Sequence, residues 1–279
     1  MLLEIAIGDA YGAGFEYVDE GTVLAHNDLS QYIRHKSHGI EAGQYTDDTQ
    51  MSIAVAEAIL SGEPWTQEML AQHFVEAFKR DPRKGYAGSF YGFLVSVRDG
   101  TQFLAEIHGD SEKSGAAMRA GPIGIFPTVE EVIEKATVQA AITHNTPNGI
   151  NSAVAAALMT HYFIYDLGPK EHLGRWLNNH VEGDWARTWH GKVGSKGWMS
   201  VRAAVTAVVA SSGMSELLRR CVRYTGDVDT VAAVALAAGS CSREVRQDLP
   251  QVLTEGLENG KYGREYLIEL DRRLFRLFK

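Results

Sequence analysis

Two short clusters of carboxylate and hydroxyl side chains each precede an alanine-rich apolar segment. The clusters consist of Thr46, Asp47 and Asp48, and of Asp227, Asp229 and Thr230. Asp and Thr are favoured N-cap residues, and the first turn of a helix attracts negative charge, so capping explains one such side chain at each position. Two neighbouring carboxylates exceed what a cap needs, because buried carboxylates repel each other and resist ionisation unless a cation neutralises them.

The side chains in both clusters suit a hard divalent cation. Mg²⁺ and Mn²⁺ bind oxygen atoms of carboxylates, hydroxyls and water. One cluster leads into QMSIAVAEAIL and the other into VAAVALAAGS, and both segments have the apolar spacing of a buried helix. The sequence therefore predicts a divalent cation between two helix N-termini, with simple capping as the alternative.

Helical periodicity runs through most of the chain. Apolar and alanine residues recur every three to four positions in residues 51–60, 67–79, 129–142, 150–164, 200–210, 215–223, 230–239 and 264–278. Thr128 and Glu131 have the spacing of a capping box, and the alanine-rich helices predict a central buried layer. We expect an all-α fold, a compact orthogonal multi-helix bundle forming a single domain over residues 1–279, with residues 166–198 as a possible excursion at its periphery.

Composition limits the setting in which the protein acts. The chain has 279 residues, 45% of them hydrophobic, and a formal net charge of -8, which argues against general nucleic-acid binding. Its two cysteines, Cys221 and Cys241, form no CxxC motif and no signal-like leader is evident, so we expect a cytoplasmic protein. Apolar stretches are shorter than the roughly 20 residues that span a bilayer. We expect no membrane association and a monomer.

Five segments in order resemble the ADP-ribosylglycohydrolase family. They are IAIGDAYGAGFEY at 5–17, TDDTQM at 46–51, SGAAMRAGPIG at 114–124, ITHNTPNGINSAVAAAL at 142–158 and GDVDTVAAVALAAG at 226–239. The resemblance implies an all-α fold with two divalent cations, Mg²⁺ or Mn²⁺, that binds ADP-ribose and cleaves its bond to a modified side chain. It also implies that both clusters, Thr46 to Asp48 and Asp227 to Thr230, supply the metal ligands.

The resemblance assigns catalytic and ligand-binding roles as well. Glu16 matches an acidic residue that approaches the metals and gates or assists the reaction, and Asp229 is its expected catalytic partner. The expected substrate-binding residues are Ser114, Gly115, Ala116, Met118, His144 and Gly197. His144 is expected to donate a hydrogen bond to the diphosphate or a ribose.

Four sites in the sequence leave alternatives open. Many relatives have Asn where this chain has Ser114, and a proposed catalytic Asp of some relatives corresponds to Ser111, beside Asp110. Arg119 fits either a phosphate ligand or a structural arginine. Phe90 or its neighbour Tyr91 could stack on an adenine, although paired aromatic residues on a helix are more often part of the core.

The expected activity is hydrolysis of the bond between ADP-ribose and a protein side chain, with arginine as the first choice of side chain. The partner is an ADP-ribosylated protein or a small ADP-ribose conjugate. An acidic protein attracts a cationic guanidinium group, although the same attraction applies to any basic target. The alternatives are hydrolysis of ADP-ribosyl-serine or O-acetyl-ADP-ribose, and a non-catalytic ADP-ribose-binding protein.

Overall fold

A computed structural model of the chain describes residues 1–35 and 37–278. The α-helices are α1 (Leu2–Ala13), α2 (Glu20–His26), α3 (Asp47–Ser61), α4 (Gln67–Arg80), α5 (Gly88–Ser96), α6 (Gly100–Glu106), α7 (Gly115–Met118), α8 (Val129–Ala141), α9 (Pro147–Ile164), α10 (Leu173–Asn178), α11 (Gly197–Val209), α12 (Met214–Arg223), α13 (Val228–Cys241), α14 (Gln251–Gly256) and α15 (Arg264–Leu277). Short 3₁₀-helices lie at Gly121–Ile125 and Lys170–His172. The described residues contain isolated β-bridges but no sheet, so the all-α prediction is confirmed.

Helix α13 lies at the centre of the structure. Every residue from Val228 to Gly239 is buried, and the helix packs against α1, α9, α11 and α12. Helix α9 is also buried along most of its length. Their alanine side chains are small enough for several helices to approach one axis, so the predicted central layer is present.

Glycines allow α1 to lie directly on the N-terminal half of α13. A Cβ atom added at Gly12 would lie 2.4 Å from Asp229 Cα, and one added at Gly8 would lie 2.8 Å from the carbonyl carbon of Ala232. The contact is therefore backbone against backbone. It places the end of α1, and the Glu16 segment that follows, beside the second acidic cluster.

All eight helices predicted from periodicity are present, with ends shifted by a few residues. Their starts agree with the capping signals: Thr66, Thr128 and Thr146 accept hydrogen bonds from the backbone N–H groups three residues ahead. At α8 the Thr128 hydroxyl donates to the Glu131 carboxylate at 3.2 Å. A full capping box would instead have this carboxylate accept from the backbone N–H group of Thr128. None of the helices described is long and apolar enough to cross a membrane.

Residues 166–198 are joined to the core. Trp185 and Trp189 are buried, and the backbone of Val193 pairs with the turn before α13, accepting from Asp227 N at 3.1 Å. This segment therefore helps to hold the second acidic cluster.

Replacing Gly12 by alanine tests the contact between α1 and α13. The added methyl group overlaps the Asp229 backbone, so we expect Gly12→Ala to lower the free energy of unfolding by about 1–3 kcal/mol in urea denaturation. Gly92→Ala in α5 is the matched control, because a Cβ there meets no atom within 4 Å and alanine favours a helix. Equal stability of the two variants would contradict the contact.

Candidate functional site

Both acidic clusters line one cavity of about 510 Å³. The first cluster lies at the N-terminus of α3, and the second lies at the N-terminus of α13. The part of the cavity lining that we call the acidic wall consists of Glu16, Asp47, Asp48, Asp227, Asp229 and Thr230. Two segments about 180 residues apart in sequence are thus brought together, as the sequence analysis predicted.

The carboxylates of this wall are close together and largely removed from solvent. Oxygen atoms of Glu16, Asp227 and Asp229 lie within 4.8 Å of one another. Asp48 is 3% exposed, yet its Oδ2 atom has no hydrogen-bond partner among the described residues, and the same holds for Oδ1 of the buried Asp229. Asp227 accepts from the hydroxyls of Ser200 at 3.3 Å and Thr230 at 3.4 Å.

Crowding and burial make ionisation of these groups costly. Burial, followed by the charges of neighbouring carboxylates, holds the pKa values of Asp47, Asp48 and Asp229 well above the ordinary 3.8. Burial, with smaller contributions from Asp227 and Asp9, raises the pKa of Glu16 to about 7. The helix N-termini offset only part of this repulsion.

These observations fit a divalent cation. Unpartnered carboxylate oxygens, a neighbouring hydroxyl and mutually repelling negative charges form an oxygen-only ligand set of the kind that Mg²⁺ and Mn²⁺ prefer. Asp47, Asp48, Asp227 and Asp229 would hold the cations, with Thr230 beside them. Neither the identity nor the number of the ions follows from this fit.

Asp9 is a buried carboxylate that the sequence analysis missed. It is 0% exposed, and its Oδ2 accepts from the backbone N–H groups of Thr46 at 2.9 Å and Thr49 at 3.0 Å. The hydroxyls of both threonines also donate to it, at 2.7 Å and 2.5 Å. Asp9 in α1 therefore fixes the first turn of α3, where Asp47 and Asp48 lie. The predicted ligand Thr46 directs its hydroxyl to Asp9 and does not line the cavity.

Glu16 is tied to the second cluster through its own backbone. The next residue, Tyr17, donates its N–H to the Gly226 carbonyl at 2.9 Å and has a φ of 51°, a strained value for a residue with a side chain. The side chain of Glu16 is 16% exposed, with Oε2 lying 3.3 Å from His38 Nδ1. The structure thus brings Glu16 to the aspartates, where the sequence alone also allowed a solvated loop residue.

A second group of possible metal ligands, Glu16 with His35 and His38, fits a cation poorly. His35 Nε2 lies 2.9 Å from the Glu16 carbonyl, and its Nδ1 accepts from the backbone N–H groups of Ser37 and His38. Both ring nitrogens of His35 are therefore engaged within the protein, so this histidine supports the loop that carries Glu16.

The predicted substrate-binding residues divide into two groups. Ser114, Gly115, Met118 and His144 line the cavity, and the Ser114 side chain is hydrogen-bonded to Asp227. Ala116 and Gly197 are buried behind the wall: the Ala116 carbonyl accepts from a glutamine side chain, and Gly197 N donates to the Glu112 carbonyl. These two residues shape the wall without lining the cavity.

The aromatic residues next to this wall were predicted only in part. Phe90 lines the cavity together with Tyr86 and Phe93, while Tyr91 lies against Phe78 outside it. Tyr86 has no pattern of its own in the sequence. Its hydroxyl donates to Gln50 Oε1 at 2.8 Å, which links the aromatic side of the cavity to α3.

The position of a second catalytic carboxylate stays open. Ser111 lines the cavity, whereas Asp110 does not. The backbone of Asp110 instead forms an isolated antiparallel β-bridge with the backbone of His144. Another carboxylate, Glu106, lies at the exposed edge of the cavity, where Gln102 donates to it at 2.9 Å.

Comparison with known proteins identifies the family of this chain. A family model described as ADP-ribosylglycohydrolase matches residues 1–279. The chain belongs to this family. Its members are hydrolytic enzymes, and the resemblance inferred from five sequence segments is confirmed.

Individual relatives are distant. Human ADP-ribosylhydrolase ARH3 is 29% identical over 195 residues, which cover 63% of this chain and 52% of the human protein, so the match spans about half the length of that relative. The ADP-ribosyl-[dinitrogen reductase] glycohydrolase of Rhodospirillum rubrum is 25% identical over 244 residues, covering 84% of this chain and 81% of that enzyme. A solved structure titled "ADP-ribosylglycohydrolase-related protein complex" has a TM-score of 0.77 at 20% identity and covers 100% of this chain and 96% of its own, which shows the shared fold.

The raised pKa values predict how stability depends on pH. A carboxylate whose pKa is higher in the folded state stabilises the fold below its ordinary pKa, and this contribution is lost as pH rises through the folded value. For Glu16 the window runs from 4.5 to about 7. We expect chelator-treated protein to melt at a higher temperature at pH 6 than at pH 8, and added Mn²⁺ to reduce the difference. Melting that is independent of both pH and Mn²⁺ would contradict the site.

Replacing Asp9 by asparagine tests the support of the first cluster. Asparagine offers one acceptor oxygen in place of two, so we expect a loss of about 1–3 kcal/mol in stability and a 10–100-fold weaker affinity for Mn²⁺ by calorimetry. Asp99→Asn is the control, because Asp99 caps α6 away from the site and asparagine caps equally well. Unchanged Mn²⁺ affinity in Asp9→Asn would show that Asp9 does not organise the ligands.

Proposed function

We propose that this chain is a divalent-cation-dependent hydrolase that releases ADP-ribose from a modified side chain. The observation that carries the proposal is that residues of both acidic clusters, the Ser114 loop and His144 line one cavity. The family model spans the same residues, 1–279, which we take as one domain. Monomeric state and cytoplasmic location stay predictions.

The aspartates would hold two cations, either Mg²⁺ or Mn²⁺. When bound, these cations would coordinate the vicinal hydroxyls of the ribose. Their positive charge would also lower the pKa of a water molecule. The protein contributes fixed positions: Asp9 holds the α3 turn, and the contact of α1 with α13 holds Asp229. Fixed ligands keep the sugar in one orientation, which lowers the entropic part of the barrier.

Glu16 is suited to proton transfer. Burial raises the pKa of Glu16 to about 7 in the cation-free protein, and bound cations would lower it, so that the carboxylate would prevail at neutral pH and could accept a proton as a general base. As the glycosidic bond breaks, the sugar gains oxocarbenium character, and the neighbouring carboxylate of Asp229 stabilises that positive charge. We therefore assign proton transfer to Glu16 Oε2 and electrostatic stabilisation to Asp229.

An ADP-ribosylated arginine is the substrate that we favour. Tyr17 lies beside Glu16 in the cavity wall and is 45% exposed, so an aromatic face and a carboxylate meet at the mouth. A planar guanidinium group binds to both kinds of surface. Lys192 Nζ lies 5.4 Å from the centre of the Tyr17 ring, a cation–π contact of the kind that a guanidinium group would make with this ring in its place. Serine conjugates, O-acetyl-ADP-ribose and binding without hydrolysis are the alternatives.

The substrate is identified by incubating the protein with ADP-ribosyl-arginine peptide, ADP-ribosyl-serine peptide and O-acetyl-ADP-ribose, with Mg²⁺, Mn²⁺ or chelator. We expect release of free ADP-ribose from the arginine peptide, and only with a cation. Faster release from serine or from the acetyl ester would reassign the leaving group. If the protein bound ADP-ribose but released none from any of the three substrates, it would be an ADP-ribose-binding protein without hydrolytic activity.

Substitutions of the carboxylates test their roles. Asp47→Ala and Asp229→Ala should abolish both hydrolysis and stabilisation by the cation, because each removes a proposed ligand. Glu16→Gln should lower kcat by about 10²–10⁴-fold while ADP-ribose still binds, because only the proton transfer is lost. Asp99→Asn, at the N-cap of α6 and outside the cavity lining, serves as the control and should retain activity. Full activity of Asp47→Ala or Asp229→Ala in metal-free buffer would falsify the proposal.

A further inference from the structure

His144 presents one ring nitrogen to the cavity without a partner. The residue is 6% exposed, and its Nε2 atom has no hydrogen-bond partner among the described residues. The ring lies against the Ser114–Gly115 turn, since a Cβ atom added at Gly115 would lie 3.3 Å from Nε2. A buried polar atom without a partner is costly, so its position in the cavity wall points to a ligand atom.

The other ring nitrogen is held by the preceding residue. Thr143 Oγ1 lies 2.7 Å from His144 Nδ1, and the same oxygen accepts from Arg119 Nη2 at 2.8 Å. Because Arg119 can only donate, the hydroxyl keeps its own proton free to donate. No other acceptor for that proton is found among the described contacts. Donation to Nδ1 leaves the ring proton on Nε2, where it faces the cavity.

Arg119 is buried and hydrogen-bonded within the protein. It is 1% exposed, its Nε donates to Gln139 Oε1, and Gln139 in turn donates to the Ala116 carbonyl at 3.1 Å. The guanidinium also lies 4.5 Å from the centre of the Phe74 ring. Burial lowers the pKa of Arg119 to about 9, although Tyr86 and the charge of Asp47 oppose this shift, so keeping the charged guanidinium in this position is costly.

We propose that Arg119 and Thr143 are positioning residues that fix His144 as a hydrogen-bond donor, through Nε2–H, to an acceptor oxygen of the bound substrate. The chain of contacts runs from Gln139 through Arg119 and Thr143 to the ring. The proposal rests on the proposed function, because the acceptor is taken to be a phosphate or ribose oxygen of ADP-ribose. Arg119 itself lines the cavity, and in this proposal it acts through Thr143 and His144.

The electrostatic setting agrees with a neutral ring. Burial, with a smaller contribution from the Arg119 charge, lowers the pKa of His144 to about 3. A neutral imidazole carries one proton, so the tautomer decides whether Nε2 donates or accepts. The wrong tautomer would turn a lone pair toward an anionic oxygen.

The tautomer can be measured without any substrate. In histidine-labelled protein with Mg²⁺, ¹⁵N NMR should show His144 as the Nε2–H tautomer, with assignment from the signals that a His144→Asn variant lacks. Thr143→Val removes the hydroxyl and should produce a mixture or the Nδ1–H tautomer. Thr143→Ser keeps the hydroxyl and should keep the wild-type signals. An Nδ1–H tautomer in the wild type would overturn the proposal.

Ligand binding provides the second readout. Thr143→Val should weaken binding of free ADP-ribose by roughly tenfold in calorimetry, raise KM similarly and leave kcat within about twofold, since one hydrogen bond to a charged group is lost. Thr143→Ser should restore both values. If Thr143→Val and Thr143→Ser weakened ADP-ribose binding equally, the proposal would be overturned, because the loss would then come from altered packing and not from the missing hydroxyl. If the wild type releases no ADP-ribose, the proposed function fails while the NMR result still decides the tautomer.

Discussion

Repulsion among buried carboxylates is the constraint on which the site depends. Asp48, Asp227 and Asp229 are buried beside Glu16; burial raises all three pKa values, and neighbouring carboxylates raise those of Asp48 and Asp229 further. Such a group is stable only if another part of the structure offsets its cost. Apolar packing of α1 on α13 brings the carboxylates together, and a bound cation is the partner that their unpaired oxygens fit.

The support of the site comes from elements that carry no catalytic chemistry. Asp9 in α1 anchors the first turn of α3, and the Val193 backbone anchors the turn before α13. In another part of the same cavity, Thr143 and Arg119 hold the ring of His144. In both places a residue of the site is fixed by hydrogen bonds with neighbours that are themselves well ordered by packing.

Much of this arrangement could be predicted from sequence. The apolar spacing predicted eight of the helices, and the paired acidic clusters predicted where the cavity lies. Helix α1 was missed, because glycines at positions 8 and 12 disfavour a helix locally and their purpose, close approach to α13, is tertiary. Asp9 was missed because a lone aspartate has no pattern, and the contact between Arg119 and Thr143 joins residues too distant for any local signal. Ala116 and Gly197 were adjacent in sequence to lining residues but lie behind the wall.

The most direct measurement of the central claim is the anomalous scattering of Mn²⁺ in crystals of the protein. The account predicts anomalous density between the carboxylates of Asp47 and Asp48 on one side and Asp227 and Asp229 on the other. Density that is absent there, or that lies only at His35 and His38, would contradict the assignment of the two acidic clusters as the cation site.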